Sequence, residues 1–121
     1  MKIYIATPVN ARKEETLEEK RLAAYYRMCE IRQKIHTKYP NAEFHSSFDE
    51  HIAPINKVCS KSESMIMGEC VTEVMECDMI VLDWGCADSK GCKVELFTAV
   101  QYDKVVKYVY EIDTETHFKA F

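Results

Sequence analysis

Short apolar runs alternate with amphipathic stretches along nearly the whole chain. The run "KIYIA", Lys2 to Ala6, has the β-branched and aromatic content of a strand. Pro8 and the polar turn "TPVNARKEE" stop it. "TLEE", Thr16 to Glu19, then matches a capping box. Beyond it Leu17, Ala24, Met28, Ile31 and Ile35 recur at helical steps and draw one apolar face, with Lys and Glu on the other. Tyr39-Pro40-Asn41 ends that helix, and "AEFHS", Ala42 to Ser46, predicts a second strand. Ser47 to Ser60 shows no period and predicts a long loop, the kind that often serves as a lid or binding loop. "SKSE", Ser60 to Glu63, opens a helix to Cys77 with Ile66, Cys70, Val74 and Cys77 on one face. "MIVLD", Met79 to Asp83, is nearly all apolar, as a central strand buried on both faces requires. A third helix follows "DSKG", and "KVVKYVY", Lys104 to Tyr110, predicts a fourth strand. Met65, Met75 and Met79 read as core filling.

Strand, helix, strand, helix, strand, helix, strand is the order of an α/β protein. It predicts a three-layer open parallel sheet of the flavodoxin or Rossmann kind, four to five strands with helices on both faces. With no repeat, linker or low-complexity segment, residues 1–121 are expected to form a single domain. Ligands of such folds bind beyond the carboxyl ends of the strands. That rule selects two loops, "TPVNAR" after the first strand and "WGCADSKG" after the third.

Composition narrows the classes. The chain is 47% hydrophobic and 30% charged, an ordinary globular mixture. A net charge of −4 supplies no basic field to hold a nucleic-acid polymer by its phosphates. No apolar stretch approaches membrane-spanning length, so no membrane partner is expected. The six cysteines, 29, 59, 70, 77, 86 and 92, include no Cys-x-x-Cys pair, and the chain opens directly on an apolar strand. They are expected to be reduced thiols acting as small hydrophobes in a cytoplasmic protein. A zinc site from Cys86, Cys92 and a histidine is an alternative, but its spacing fits no common zinc pattern.

The third helix carries the least expected residue. On it Cys92, Glu95, Ala99 and Tyr102 share one stripe, small and apolar apart from Glu95 itself. A carboxylate so placed either leans out to a surface lysine or faces the sheet, where burial without donors strongly disfavours its charged form. Trp84, directly after the central strand, has two readings, a ring that stacks on a base or a lid on the core. His45 and His51 are open to ligand contact or to structural roles. Phe118 and Phe121 are expected to dock on this chain or a neighbour.

The stretch "SKGCKVE", Ser-x-Gly-x-x-x-Glu, resembles the nucleoside 2-deoxyribosyltransferase-like family, which includes 2'-deoxynucleoside 5'-monophosphate N-glycosidases. "IYIATPVNAR" is similar to that family's first strand and loop, and "ECDMIVLDW" to its helix end and central strand. The resemblance implies that Glu95 is a nucleophile toward the anomeric carbon of deoxyribose and that Tyr4 orients it or the sugar. It implies that Thr7, Asn10 and Arg12 receive the 5' end and that Ser89 contacts the 5' substituent or phosphate; Gly91, Asp83 and Trp84 are further substrate-binding candidates. Relatives carry an Asp eight residues before the helix-ending acid; here that acid is Asp78 and the position holds Cys70, so the role falls to the adjacent Glu69, moves to Asp83 or Asp88 nearer the mouth, or is lost. Where base-exchanging relatives often have Asp, Ser89 leans toward a 5'-monophosphate, since a hydroxyl donates to phosphate and a carboxylate repels it.

The expected function is therefore cleavage or transfer of the N-glycosidic bond of a 2'-deoxynucleoside or its 5'-monophosphate. No metal or organic cofactor is required, and the resemblance implies a homodimer or higher homo-oligomer. Two rivals stand beside it: a nucleotide-binding module of the same fold without turnover, and a cysteine-based metal or redox protein.

Overall fold

A computed structural model describes residues 1–9, 12–48 and 63–112, with the backbone alone for 63–66. Its elements run β1 (Lys2–Ala6), α1 (Leu17–Lys38), β2 (Glu43–Ser46), α2 (Glu63–Glu76) and β3 (Met79–Leu82). A short 3₁₀ helix (Cys86–Asp88), α3 (Lys90–Gln101) and β4 (Val105–Tyr108) complete them. The strands form one all-parallel sheet in the order β2-β1-β3-β4. Helices cover it on both faces, giving the three-layer α/β architecture expected from the alternation.

The layers follow from two periodicities. Along β1, Ile3 and Ile5 point to one face, where Ala24, Met28, Ile31 and Ile35 of α1 meet them. Tyr4 and Ala6 point to the other, into a cluster with Cys70, Val74 and Cys77 of α2 and Cys92 and Ala99 of α3. Right-handed crossovers require this division. The chain steps one way from β1 to β2 and the other way to β3 and β4, so α1 lies on one side and α2 and α3 on the other. β3, the apolar run, is buried along its whole length, as a strand flanked by partners and covered on both faces must be.

Local signals set the helix starts. Thr16 Oγ1 accepts from Glu19 N at 3.1 Å and caps α1. Ser89 Oγ accepts from Cys92 N at 3.3 Å and caps α3. Gly85, at φ 85°, adopts the left-handed turn that leads from β3 into the 3₁₀ helix, a conformation most side chains resist.

Some expectations change. The fourth strand stops at Tyr108, and residues 109–112 are helical, with Val109 and Ile112 packed on the α1 side of the sheet. Met79 is buried, but Met75 faces out, because it lies off the Cys70–Val74–Cys77 stripe that α2 buries. Tyr102 is 55% exposed: it is the C-cap of α3, where the chain turns away and the helical stripe no longer applies. Ser60, His51, Cys59 and the Phe118 and Phe121 tail lie outside the described residues, as does the side chain of Met65. No helix among the described residues is long and apolar enough to cross a membrane.

Candidate functional site

β1 and β3 are neighbours whose following connections leave in opposite directions, so a crevice opens beyond their ends. The two loops selected from the sequence meet there. Asp83 N donates to Ala6 O at 3.1 Å, and Cys86 Sγ donates to the same oxygen at 3.4 Å. Pro8 lies against Gly85, where an added Cβ would stand 3.4 Å from its Cγ.

Glu95 does not lean out. It is 6% exposed, on the face of α3 that also buries Cys92, Thr98 and Ala99. Capping by Ser89 starts the helix at Lys90, and that start sets the rotation that turns Glu95 inward. There it meets Tyr4, which is fully buried on β1, and it lies near Cys70 of α2. Neither Tyr4 Oη nor Glu95 Oε2 completes a hydrogen bond among the described residues, although hydroxyl and carboxyl are close enough to perturb each other.

The electrostatics follow from that burial. Loss of water pushes the Glu95 carboxyl well above the ordinary carboxylate range; Cys92 and Glu73 push the same way, and the Tyr4 hydroxyl opposes them. Burial likewise raises Tyr4, reinforced by Glu95 and Cys70. The Cys70 thiol is pushed up to about 12, first by burial, with the Tyr4 hydroxyl working against it. Cys70 therefore remains a protonated thiol at neutral pH. Gly91, one turn ahead of Glu95, leaves room at the carboxyl: an added Cβ would come 3.2 Å from Met67 Cε and 3.9 Å from Glu95 Oε1.

The other expected site residues divide. Thr7 is buried just past β1, its Oγ1 without a hydrogen-bond partner among the described residues. Arg12 is half-buried in the same loop and pairs with Glu14 at 3.2 Å. Asn10 lies outside the described residues. Ser89 is buried, and its oxygen is engaged as the cap of α3. Asp83 is 5% exposed and tied down: its carboxylate accepts from Arg27 Nε at 3.0 and 3.1 Å and from Trp84 N at 2.8 Å. Trp84 is 67% exposed and stacks on Tyr110, which excludes the reading of it as a lid on the core. The cavity it lines, with Asp83, Leu96 and Tyr108 among others, touches neither Tyr4 nor Glu95. His45, beside Tyr4 in the sheet, has its Nε2 3.3 Å from Glu43 Oε1.

Two residues were missed by sequence reasoning. Glu73 of α2 pushes up both the Glu95 carboxyl and the Cys70 thiol, and Glu69 pushes up Cys70. A signal existed, because Glu73 is three residues past Cys70 and so shares its face. Arg27 had a weaker one: it adjoins Met28 on α1, and only the sheet order brings it over the end of β3. Among the described residues no group of His, Cys, Asp and Glu is arranged to hold a metal ion, and Cys29, Cys70, Cys77, Cys86 and Cys92 are free thiols.

A buried carboxyl beside a phenol, at the open end of a parallel sheet, can hold a proton at rest. It can also stabilise positive charge that develops in a bound ligand. No protein-family model matches this sequence, and no curated protein matches it.

Proposed function

We propose that this chain cleaves or transfers the N-glycosidic bond of a 2'-deoxynucleoside or its 5'-monophosphate, with Glu95 as nucleophile. The observation that carries the reading is the burial of the Glu95 carboxyl against Tyr4 with one oxygen left without a hydrogen bond among the described residues. Burying an ionisable group without an ion-pair partner destabilises a fold, so such a group is a candidate for chemistry.

The chemistry suits the residues. A Glu95 oxygen bonds to C1' as the C1'–N bond breaks, and the electron pair leaves with the base, which takes up a proton. Water, or a nitrogen of a second base, then attacks C1' and restores the carboxylate. Both steps pass through oxocarbenium-like states that an adjacent carboxylate stabilises. The Tyr4 hydroxyl beside it favours the ionised carboxylate. Glu73 and Glu69, on the neighbouring helix, are the candidates to protonate the leaving base. Arg12 is the candidate phosphate partner in the loop after β1, and Thr7 offers an uncommitted hydroxyl there. Exposed Phe97, Val100 and Val105 on α3 and the edge strand β4 support self-association in a homo-oligomer.

One observation favours a second reading, a nucleotide-binding module without turnover. Cys70, held as a neutral thiol, stands where the resembling enzymes carry an acid. Incubation with a pool of nucleosides and deoxynucleoside monophosphates, followed by mass spectrometry, tests both. Released or exchanged bases are expected; saturable binding with no product would establish the second reading instead.

A further inference from the structure

Beyond the ends of β3 and β4 lies a cavity of about 210 Å³. Its aromatic wall is a row of three rings. Trp84 and Tyr110 stack with centroids 5.3 Å apart at 30°, and Tyr110 and Tyr108 with centroids 5.6 Å apart at 22°. Leu82 and Leu96 add apolar lining. The cavity is smaller than the roughly 300–1,000 Å³ typical of drug-sized ligands, and suits a ring system of one or two rings.

Two features give it a chemical preference. Near-parallel rings left open at one end are extended most favourably by another flat ring, and an indole exposed as far as Trp84 still has surface to cover. The second feature is Asp83, a lining residue whose carboxylate is buried and held in place by Arg27. Among the described residues Oδ2 accepts one hydrogen bond, from Arg27 Nε at 3.1 Å, which leaves it a lone pair to accept a ring N–H. An aromatic wall with one fixed acceptor discriminates for flat heterocycles over aliphatic rings.

We propose that this cavity is a second ligand site, separate from Glu95, for a planar heteroaromatic ring carrying an N–H donor, of which a free nucleobase is the simplest case. It does not depend on the glycosidic reading, because neither Tyr4 nor Glu95 lines it.

Trp84 is the only tryptophan of the chain, so its fluorescence reports on this cavity alone. The full chain is titrated with thymine and with 5,6-dihydrothymine, which keeps the N–H and carbonyl groups but loses the flat aromatic ring. Thymine should quench Trp84 saturably, with the same midpoint in Glu95→Gln, and dihydrothymine should bind at least about fivefold more weakly. By calorimetry, Trp84→Ala should weaken thymine binding roughly 5- to 150-fold, the range for losing one base–aromatic stack. Equal affinity for the two rings, an unsaturable response to both, or loss of the response in Glu95→Gln would each overturn the proposal. The comparison of the two rings in the unaltered chain decides the matter even if Trp84→Ala does not fold. Base release by the chain without thymine binding at Trp84 would overturn this site and leave the Glu95 reading standing, and the converse result would do the reverse.

Discussion

Two carboxylates are buried at the same end of this sheet to almost the same degree, and they are held in opposite ways. Asp83, at the end of β3, receives the Arg27 guanidinium on both oxygens and the backbone N–H of Trp84. Glu95, on the inner face of α3, has a phenol, thiols and another carboxylate for neighbours and, among the described residues, no cation. The first arrangement compensates the loss of water; the second leaves most of it uncompensated. The burial of Asp83 is thereby compensated within the fold, since it ties α1 across the end of the sheet. That of Glu95 is not compensated among the described residues, and the comparison teaches that equal burial carries different meaning according to the partner.

The sharpest way to break that comparison is Glu95→Gln. On the proposed function it should cut base release by several orders of magnitude, each tenfold corresponding to about 1.36 kcal/mol of lost transition-state stabilisation. Stability should move the other way. A carboxyl whose folded pKa is raised binds its proton more tightly in the folded state, so its contribution is full below the unfolded value. That contribution is lost as pH rises through the folded one. The Gln variant should therefore melt higher than the parent at neutral pH, with the gap closing toward about pH 4. Melting curves across pH check this; a variant less stable at neutral pH would show that Glu95 has a compensating partner after all.

Arg27→Met asks the reciprocal question of Asp83. Removing the cation leaves a buried carboxylate with a single backbone donor. Unfolding free energy should fall by about 1.5–3 kcal/mol, the worth of a charge-assisted hydrogen bond, as read by chemical denaturation. An unchanged midpoint would erase the distinction between the two sites.

Tyr4→Phe sharpens the picture at Glu95. The Tyr4 hydroxyl is the neighbour that favours the ionised carboxylate, so its loss should raise the Glu95 pKa further. The rising limb of the pH–rate profile should move to higher pH, and the rate at neutral pH should drop roughly ten- to a hundredfold. An unmoved limb would assign it to another group.

The smallest effect is expected at Arg12, which already pairs with Glu14 in a partly exposed setting. Arg12→Ala should weaken a monophosphate about tenfold, at the low end for a charge-assisted contact, and leave the matching nucleoside unchanged. Equal losses for both ligands in calorimetry would remove Arg12 from the phosphate role.

The amino-acid sequence alone determined the elements and their faces. A strand of period two and a helix of period 3.6 each record which of their own side chains turn inward. The α1 stripe and the all-apolar β3 were therefore legible from spacing, whereas the spacing along α3 left open whether Glu95 leans out or turns in. The meeting of the two loops was legible too, once alternation implied a parallel sheet. What no local period records is which residue of another element stands opposite. Arg27 reaches Asp83 from 56 residues away only because α1 crosses the end of β3. Glu73 comes to bear on Glu95 only because α2 packs beside α3. Trp84 turns outward because Tyr110, in the helical turn that cuts β4 short, offers it a ring to stack on. These pairings depend on sheet order, register and helix rotation, which are properties of the packed molecule. They also decide which of two equally buried carboxylates has a partner and which does not.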